Sequence, residues 1–597
     1  MRNFLFFIPL VFLQLACSSP TATRSNAVNE YLDNMFQEQL ERDPQFRTYV
    51  GEKQDYDQLT NISEKAQKET FERDQQHLAA LNTFLKAGPL DETTAVSLEV
   101  AKVMKEQAVE SYPFRHHYYP VNQMFGEQSE LPSFMINMHR VESYDDAKAY
   151  VERLNKFPWK FDQLINNMET AAKKGIIPPK FIYEKAYRDI QNIVTGFPFT
   201  RSKEMSPLWK DFTVKLDKVK VLENTAKKEL LDQAEKALKE KVGLAYKNLG
   251  AALRKLEKRA PKLGTASNLP KGNEFYEVAL RQHTTTSLSA EEIHQLGLKE
   301  VERIHEEMRD IMAKIDPKFK DLSQFFNHLK TSVAQKFPNT KEGKEAYLAK
   351  AKEYIDTMKE KLPSLFNRLP EAEIIVKAVE PYREQSAGLA FYEGPSEDGK
   401  RPATYYVNLY DMDSVLKYEM EALAYHEGIP GHHMQIAIAT EMDELPRFRK
   451  YTWFTSYGEG WALYAELIPK EIGLYQELYS DFGRLSMELW RACRLVVDTG
   501  LHAKGWSRQK AADYLLKNTP STKADAMKAA ERYIVMPGQA TAYKIGMIRI
   551  QQLRKQAKAK LGDRFDIREF HDLILKNGTV PLSVLEKQVE RWVESKS

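Results

Sequence analysis

The stretch that decides which fold to expect is His426-Glu427-Gly428-Ile429-Pro430-Gly431-His432-His433. Its imidazoles can bind a transition metal, and the carboxylate that follows the first of them can act as a general base. Upstream, residues 413–428 have apolar side chains at helical spacing, so His426 and Glu427 are expected near the C-terminal end of a helix. The helical pattern continues downstream to the C-terminus, which predicts a mainly α fold around this site.

The motif is similar to the zinc-peptidase signature H-E-x-x-H but departs from it at Pro430. In that signature, histidines at positions i and i+4 share one helix face, and the Glu between them activates a water molecule. On a straight helix His433, at i+7, would lie about 10 Å further along the axis, and His432, at i+6, would be rotated by roughly 120°. Neither histidine can share a metal with His426 unless the helix is deformed.

Pro430 and Gly431 provide a reason for that deformation. Proline removes a backbone donor and disfavours helical geometry in the residue before it, and glycine permits unusual backbone angles. We therefore expect residues 428–431 to form a bulge that brings a second histidine to the metal. His432 is the preferred ligand and His433 the alternative, and the other of the two is expected to hydrogen-bond or to contact substrate.

A third ligand is expected from the helix that follows. Glu459 begins a predicted helix in which Ala462 and Ala465 are small enough to allow close approach to the first helix. Glu466 lies seven residues further on the same face, where it could orient a ligand histidine. Alone, Glu459 would be interpreted as a solvated carboxylate at a helix start. Because Glu459 follows the histidine motif by a few tens of residues, we interpret it instead as a metal ligand.

Three polar side chains near the C-terminus are candidates for catalysis or substrate binding. Tyr533 or Tyr543 could donate a hydrogen bond to the oxyanion that forms during amide hydrolysis. Arg532 could pair with a substrate carboxylate. The alternative is that both tyrosines are core residues and that Arg532 is a structural ion-pair partner.

A small antiparallel sheet is predicted just before the histidine motif. Three short β-rich runs, separated by turn-forming residues, span 374–379, 389–392 and 404–409. The last run contains Tyr406 and Asn408, and its edge could bind an extended peptide substrate. His502 is a further candidate for substrate contact, although a lone helix histidine is usually structural.

The composition describes an ordinary globular protein and gives no argument for nucleic acid. The chain has 597 residues, of which 42% are hydrophobic and 29% charged, and its net charge is only +3. No basic stripe interleaved with aromatic residues is present in the sequence, so no nucleic-acid partner is expected. A loop-like segment at 260–272 predicts an N-terminal helical lobe at 28–265 and a C-terminal catalytic lobe at 266–597.

Two local patterns predict particular helices. Residues 219–259 form a long charged run with leucines at helical spacing, and an amphipathic helix packed on its own domain is favoured over a coiled coil. Ser289 and Glu292 have the spacing of a capping box, so a long helix is expected to follow them.

The N-terminus predicts export and a lipid anchor. Residues 1–16 have a positive end and an apolar run too short to span a membrane, which is typical of a signal peptide. The sequence around Cys17 resembles a bacterial lipoprotein signal, with an ordinary secretory peptide as the alternative. Residues 17–27 would then be a lipid-anchored tether. Lipidation leaves Cys493 without a partner, and its apolar helical surroundings indicate a packed core residue.

Together these residues resemble the bacterial family catalogued as domain of unknown function 885, from about residue 27 to the C-terminus. The matching segments are Asp398-Gly399-Lys400-Arg401-Pro402, 405–408, 426–433, 458–461, 494–502 and 532–539. The resemblance implies an architecture similar to the helical zinc peptidases of the neurolysin kind, with a deep channel between two lobes. It also implies zinc as the cofactor and short peptides as substrates, which is an analogy at the level of the fold.

The sequence is therefore interpreted as that of an exported zinc metallopeptidase, anchored by Cys17 to the periplasmic side of the outer membrane. Two alternatives stay open at this point. One is a lipoprotein without catalytic activity that binds peptides or envelope components on the same scaffold. The other is a metal-dependent hydrolase of a non-peptide amide or ester.

Overall fold

The structure of the protein, a computed structural model, describes residues 20–220, 222–380, 384, 388–395 and 402–596. The predicted signal peptide, Cys17 and the matching stretch from Asp398 to Arg401 lie outside the described residues. No helix in the described ranges is both long enough and apolar enough to cross a bilayer.

The described chain is mainly helical, as the sequence predicts. Its first part contains α1 Pro20–Arg42, α2 Pro44–Tyr49, α3 Glu64–Lys86, α4 Glu92–Ser111, α5 Glu127–Asn137, α6 Tyr144–Asn155, α7 Phe157–Lys173, α8 Lys180–Ile193, α9 Pro207–Asp217, α10 Asn224–Ala237 and α11 Gly243–Glu257. Four further helices precede the sheet: α12 Gly272–Thr284, α13 Ala290–Ile315, α14 Leu322–Thr331 and α15 Lys341–Lys359.

The strands and the helices of the candidate site follow. The strands are β1 Ile374–Ala378, β2 Ala390–Glu393 and β3 Ala403–Val407. The remaining helices are α16 Lys417–Glu427, α17 His432–Thr440, α18 Arg447–Lys450, α19 Thr455–Glu471, α20 Leu478–His502, α21 Arg508–Asn518, α22 Lys523–Val535, α23 Ala542–Leu561, α24 Ile567–Leu575 and α25 Leu582–Lys596.

The sheet is mixed, so the prediction of an antiparallel sheet was wrong. Its order is β1-β3-β2, with β3 parallel to β1 and antiparallel to β2. β2 does not pair with β1, and β3 lies between them in the sheet. No local hairpin pattern in the sequence reveals this order. All five residues of β3 are buried. Because β3 is central, its edges are already paired, and the predicted peptide-binding edge at residues 404–409 was also wrong.

Helix α1 begins at Pro20, inside the predicted tether at 17–27. Proline is favoured in the first turn of a helix, where its missing N–H is not needed. Ser25 is buried, and its hydroxyl accepts a hydrogen bond from the backbone N–H of Asp91, 3.1 Å away. Residues 20–27 are therefore helical where the sequence predicts a tether, and Ser25 holds this helix against the chain before α4.

The long charged run at 219–259 forms two packed helices, as the favoured interpretation predicts. Helices α10 and α11 are joined by one π-helical turn, Leu238–Val242. Leu230, Leu238 and Leu249 are buried in one cluster with residues of α6 and α7. The apolar stripe is thus covered by the protein itself.

The capping box predicted before α13 is present. The Ser289 hydroxyl accepts from the Glu292 N–H at 3.3 Å, and the Glu292 carboxylate accepts from the Ser289 N–H at 2.8 Å. Helix α13 packs along α20, where Cys493 is fully buried among apolar side chains. Cys493 is therefore a core residue, as predicted.

Two large hydrophobic clusters hold most of the core among the described residues. One lies entirely between Leu59 and Leu256. The other combines buried residues of α1 and α4 with residues from Ala266 to the C-terminal helix. Helices α1 and α4 thus pack with the second half of the chain, and the predicted boundary after residue 265 stays a prediction.

The helices α19 and α23 cross with their backbones in direct contact. A Cβ added at Gly460 would lie 2.5 Å from the Cα of Gly546, so only glycine permits this approach at both positions. The sequence suggested that Ala462 and Ala465 would allow close packing of this helix. The contact between two glycines brings Glu459 on α19 and Tyr543 on α23 to the same region.

Candidate metal centre

The histidine motif forms a helix end, a four-residue turn and a new helix. Helix α16 ends at Glu427 and α17 begins at His432. A Cβ added at Gly431 would lie 1.9 Å from the His426 carbonyl oxygen, so glycine is required where the chain folds back over the last turn. The Trp461 indole donates to the Pro430 carbonyl at 2.9 Å and holds this turn in place. The break at 428–431 lies where the sequence predicts a bulge.

The turn brings His432, together with His426 and Glu459, into one cluster. Their potential ligand atoms all lie within 4.8 Å of one another. The Glu459 carboxylate oxygen is 3.7 Å from His426 Nε2 and 3.6 Å from His432 Nε2. Two atoms bound to the same tetrahedral zinc lie about 3.4 Å apart, since each is about 2.1 Å from the ion. The spacing of these three side chains therefore fits one shared metal ion.

The cluster is rich in negative charge. Burial alone would lower the pKa of the His426 imidazole, but the carboxylates of Glu459 and Glu466 raise it to about 10. Burial alone would raise the pKa of Glu459, but the imidazoles of His426 and His432 hold it well below its usual value. The two shifts have one cause, the mutual attraction of the imidazoles and the Glu459 carboxylate.

His433 points to a different neighbour. Its side chain is 1% exposed, and its Nδ1 lies 3.0 Å from the Tyr392 hydroxyl of β2. Burial lowers the pKa of His433 to about 4, so the imidazole is neutral at pH 7. The sequence allowed either His432 or His433 as the second ligand. The structure brings His432 to the cluster and places His433 in a hydrogen bond with Tyr392 of the sheet.

Glu466 lies behind His426, as its spacing on α19 predicts. Its Oε1 is 2.7 Å from His426 Nδ1, and both side chains are buried. A proton on Nδ1, donated to Glu466, leaves the Nε2 lone pair directed at the cluster. Glu466 therefore fixes the tautomer and the orientation in which His426 can bind a metal.

We expect Glu466→Gln to weaken zinc binding by about 10- to 100-fold, because a neutral amide is a poorer acceptor for the His426 N–H. Zinc affinity measured by competition with a chromogenic chelator would show the change. Glu471→Gln, near the end of the same helix and paired with Arg554 at 2.8 Å, is the matched control. Unchanged affinity in Glu466→Gln would contradict an orienting role.

A cavity of about 350 Å³ adjoins the cluster. Glu427, on the last turn of α16, lines it beside the two histidines and Glu459. Its walls also include Trp453, residues 390–392 of β2, and Tyr543. Trp453 also lines a larger cleft of about 840 Å³, whose other residues come from both halves of the chain. The smaller cavity and the larger cleft therefore meet at Trp453.

The two candidate tyrosines occupy different positions. Tyr543 lines the cavity, and the Arg494 guanidinium lies 4.5 Å from the centre of its ring. Tyr533 is 1% exposed and does not line the cavity. Burial raises the pKa of Tyr533, and the neighbouring charge of Arg494 opposes that rise. Tyr543 is thus the tyrosine that is open to a ligand, and Tyr533 lies behind Arg494.

Four predicted substrate contacts are not brought to the cavity. Tyr406 stacks on Phe391 with ring centres 5.0 Å apart, on the buried central strand. The Asn408 amide donates to the Glu384 carbonyl at 2.6 Å, which holds a loop. These two side chains therefore stabilise the sheet and its connection, and the structure does not bring them to the cavity.

The other two are held by neighbouring protein groups. His502 is fully buried, with Nδ1 accepting from the Ala266 N–H and Nε2 2.9 Å from the Tyr533 carbonyl, so neither ring nitrogen is left for a substrate. Arg532 donates to the Gln539 side chain at 2.9 Å. Neither residue lines the cavity, so their contact with substrate stays a prediction.

Two cations and one large aromatic residue that line the cavity were not predicted as site residues from the sequence. They are Arg491 and Arg494, one turn apart on α20, and Trp453 before α19. Nearly every residue of α20 from 480 to 502 is buried. Arginines at 491 and 494 within the largely apolar sequence 485–501 are the signal that could have drawn attention to this face, because buried cations need an anionic partner.

Comparisons with other proteins give a family and a fold. The family model described as "Bacterial protein of unknown function (DUF885)" matches residues 44–589. A "putative lipoprotein from Colwellia psychrerythraea" has a similar structure, with a TM-score of 0.87 and 30% identity over 96% of this chain and 100% of that chain. A "putative lipoprotein of unknown function from Shewanella oneidensis" shares the fold, with a TM-score of 0.71 and 18% identity over 96% and 99% of the two chains. A comparison with curated proteins finds no match.

Proposed function

The chain belongs to the DUF885 family, and because that description assigns no function, we propose one from the site: zinc-dependent hydrolysis of peptide bonds in short peptides. The observation that carries this proposal is the convergence of His426, His432 and Glu459 beside Glu427 in one cavity. Two imidazoles and a carboxylate form a donor set of catalytic zinc sites, in which a fourth position stays open.

The residues of the cluster fit zinc in number, type and spacing. His426, His432 and Glu459 would hold the ion, and Glu466 would keep His426 in the required tautomer. When bound, zinc would supply a Lewis acid that polarises a carbonyl group and makes water more acidic. The negative charge of the surrounding carboxylates supports a divalent cation here.

Glu427 is the residue proposed for proton transfer. Its carboxylate would take a proton from the attacking water and pass it to the leaving amine, as general base and then general acid. Tyr543, which lines the same cavity, would donate a hydrogen bond to the developing oxyanion. Tyr533 lies behind the Arg494 guanidinium, so it would contribute to oxyanion stabilisation only indirectly, through its interaction with Arg494.

The larger cleft supports a peptide substrate. Its lining combines aromatic side chains such as Phe71, Tyr112 and Tyr118 with polar groups, a mixture suited to short extended chains. Among the described residues, β2 lies at an edge of the sheet and lines the smaller cavity. On this basis we propose a two-lobed, zincin-like architecture with the substrate bound between the lobes.

The two alternatives are weaker on the geometry. A binding protein without activity does not need a carboxylate such as Glu427 beside the predicted ligands, so the site favours a catalyst. A hydrolase of a non-peptide amide or ester would use the same residues and differs only in substrate. Comparing peptides with esters and non-peptide amides of similar size separates this alternative from the first.

We also propose that the protein is exported and anchored by a lipid on Cys17 to the periplasmic side of the outer membrane. The sequence around Cys17 supports this location. A similar solved structure, 30% identical to this chain, is described as a putative lipoprotein.

Purified protein is expected to contain about one zinc ion per chain and to hydrolyse members of a randomised short-peptide library. Removing the ion with a chelator should abolish hydrolysis, and adding zinc should restore it, because three protein ligands leave one position for chemistry. Metal analysis by mass spectrometry and detection of new peptide termini would check both. Hydrolysis that is unaffected by complete removal of metal would contradict the proposal.

A further inference from the structure

Arg494 is a buried cation with no carboxylate in ion-pair contact among the described residues, although Tyr533, Tyr543 and Glu459 offset the lowering of its pKa by burial. It is 8% exposed, and its Nε and Nη1 atoms have no hydrogen-bond partner. Of the five buried arginines among the described residues, the other four donate to a carboxylate or carbonyl oxygen: Arg47, Arg153, Arg449 and Arg484. Burying a charge without such a partner is costly, so the site favours a ligand of opposite charge.

Arg484, about three turns earlier on α20, has the charged partners that Arg494 lacks. Arg484 donates to Asp481 at 3.0 Å and lies 3.6 Å from Glu488, so its charge is neutralised inside the protein. Arg494 instead lies over the face of Tyr543, which fixes the direction of the guanidinium without supplying an acceptor. Its unpaired donors are therefore held in a defined position.

The position of Arg494 places those donors beside the predicted metal ligands. Arg494 lines the cavity of about 350 Å³ that also contains His426, Glu427 and Glu459. Arg491, one turn earlier, lines the same cavity, and its Nε is also unpaired. Arg491 is partly neutralised, since Nη2 lies 4.0 Å from Glu466 and Nη1 donates to the Met487 carbonyl. Arg494 is thus the principal cation of the pocket, and Arg491 supports it.

We propose that Arg494, assisted by Arg491, binds a carboxylate of the substrate inside the catalytic cavity. A guanidinium matches a carboxylate with two parallel hydrogen bonds, which gives both energy and direction. A peptide offers such a group at its C-terminus or on an acidic side chain. Because the cavity is small, a carboxylate bound there lies close to the bond that is cut, so the C-terminal residues of short peptides are the expected substrates. This inference rests on the proposed function and narrows it.

The test measures binding separately from hydrolysis. Zinc-loaded Glu427→Gln protein is incubated with three randomised tripeptide pools: free acids, C-terminal amides, and amides that end in Glu. Ultrafiltration and mass spectrometry then measure the retained fraction of each pool. We expect about 10- to 100-fold tighter retention of the free acids than of the plain amides, the range for a charge-assisted hydrogen bond.

Substitutions at Arg494 identify the source of that preference. Arg494→Met, added to Glu427→Gln, should remove it, and Arg494→Lys, which keeps the charge but not the paired donors, should retain part of it. Arg309→Met, on the exposed face of α13, is the control. Zinc content and circular dichroism of each variant show that a lost preference does not come from a lost metal or fold.

The outcomes distinguish a C-terminal carboxylate from a side-chain carboxylate. They also separate carboxylate binding by Arg494 from the proposed peptide hydrolysis. Strong retention of free acids alone supports the C-terminal carboxylate, and equal retention of the amides ending in Glu supports an acidic side chain. Equal retention of all pools, no retention of any pool, or a preference that survives Arg494→Met overturns the inference, even if the wild-type protein hydrolyses peptides. Pools that bind with the expected preference but are never cut by zinc-loaded wild-type protein overturn the proposed function alone.

Discussion

Glu427→Gln is expected to lower kcat/KM for peptide hydrolysis by about 1,000-fold or more while leaving the zinc content unchanged. The substitution keeps the size of the side chain and removes its ability to accept and return a proton. General acid–base catalysis contributes about 10²- to 10⁴-fold to such reactions, and 1,000-fold corresponds to about 4 kcal/mol of transition-state stabilisation. Initial rates on a cleaved library peptide, with metal analysis of the same samples, would measure the effect.

The control for this variant is Glu444→Gln, which makes the same chemical change at an exposed position. It should hydrolyse the peptide at the wild-type rate. If Glu427→Gln binds zinc normally and cuts the peptide as fast as the control does, Glu427 is not the proton carrier, and the proposed mechanism fails.

His432→Ala is expected to lose most of its zinc, whereas His433→Ala should keep it. Only the first of these neighbouring histidines faces His426 and Glu459. A site with three protein ligands that loses one of them holds the ion far more weakly. Equilibrium dialysis against zinc, followed by metal analysis, would separate the two variants directly.

Because His433 is buried against Tyr392, its variant must be checked for folding. Circular dichroism of both proteins, and the milder substitution His433→Asn, serve this purpose. Loss of zinc from folded His433→Ala combined with retention by His432→Ala would show that the ligands have been assigned the wrong way round.

Features that depend on short-range backbone chemistry were predictable from the sequence. The capping box at Ser289 requires only two side chains three residues apart. The end of α16 before Pro430 follows from the geometry of proline and of the residue before it. The sequence also favoured His432 as the second ligand, because Gly431 permits a turn that a side chain at this position would obstruct.

Features that depend on distant segments were not predictable in the same way. The sheet was expected to be antiparallel because successive short strands usually form hairpins, but its order depends on a crossover outside any local pattern. His502 and Asn408 have side chains suited to binding, and their actual partners, Ala266 and Glu384, lie far away in sequence or on another loop. Arg494 lies in the segment 494–502 that resembles the family, but its unpaired Nε and Nη1 atoms are visible only in three dimensions.

Helix α19 supplies three parts of the site: Glu459, the Trp461 indole that holds the turn, and the Glu466 carboxylate that orients His426. These groups lie on one helix, so their mutual positions are set by the folding of that helix and do not require an ion. If zinc binds as proposed, the ion could be loaded, removed or exchanged without rearrangement of these side chains. The proposed export would then not require the metal to be bound before the chain crosses the membrane, because the site could be filled after folding.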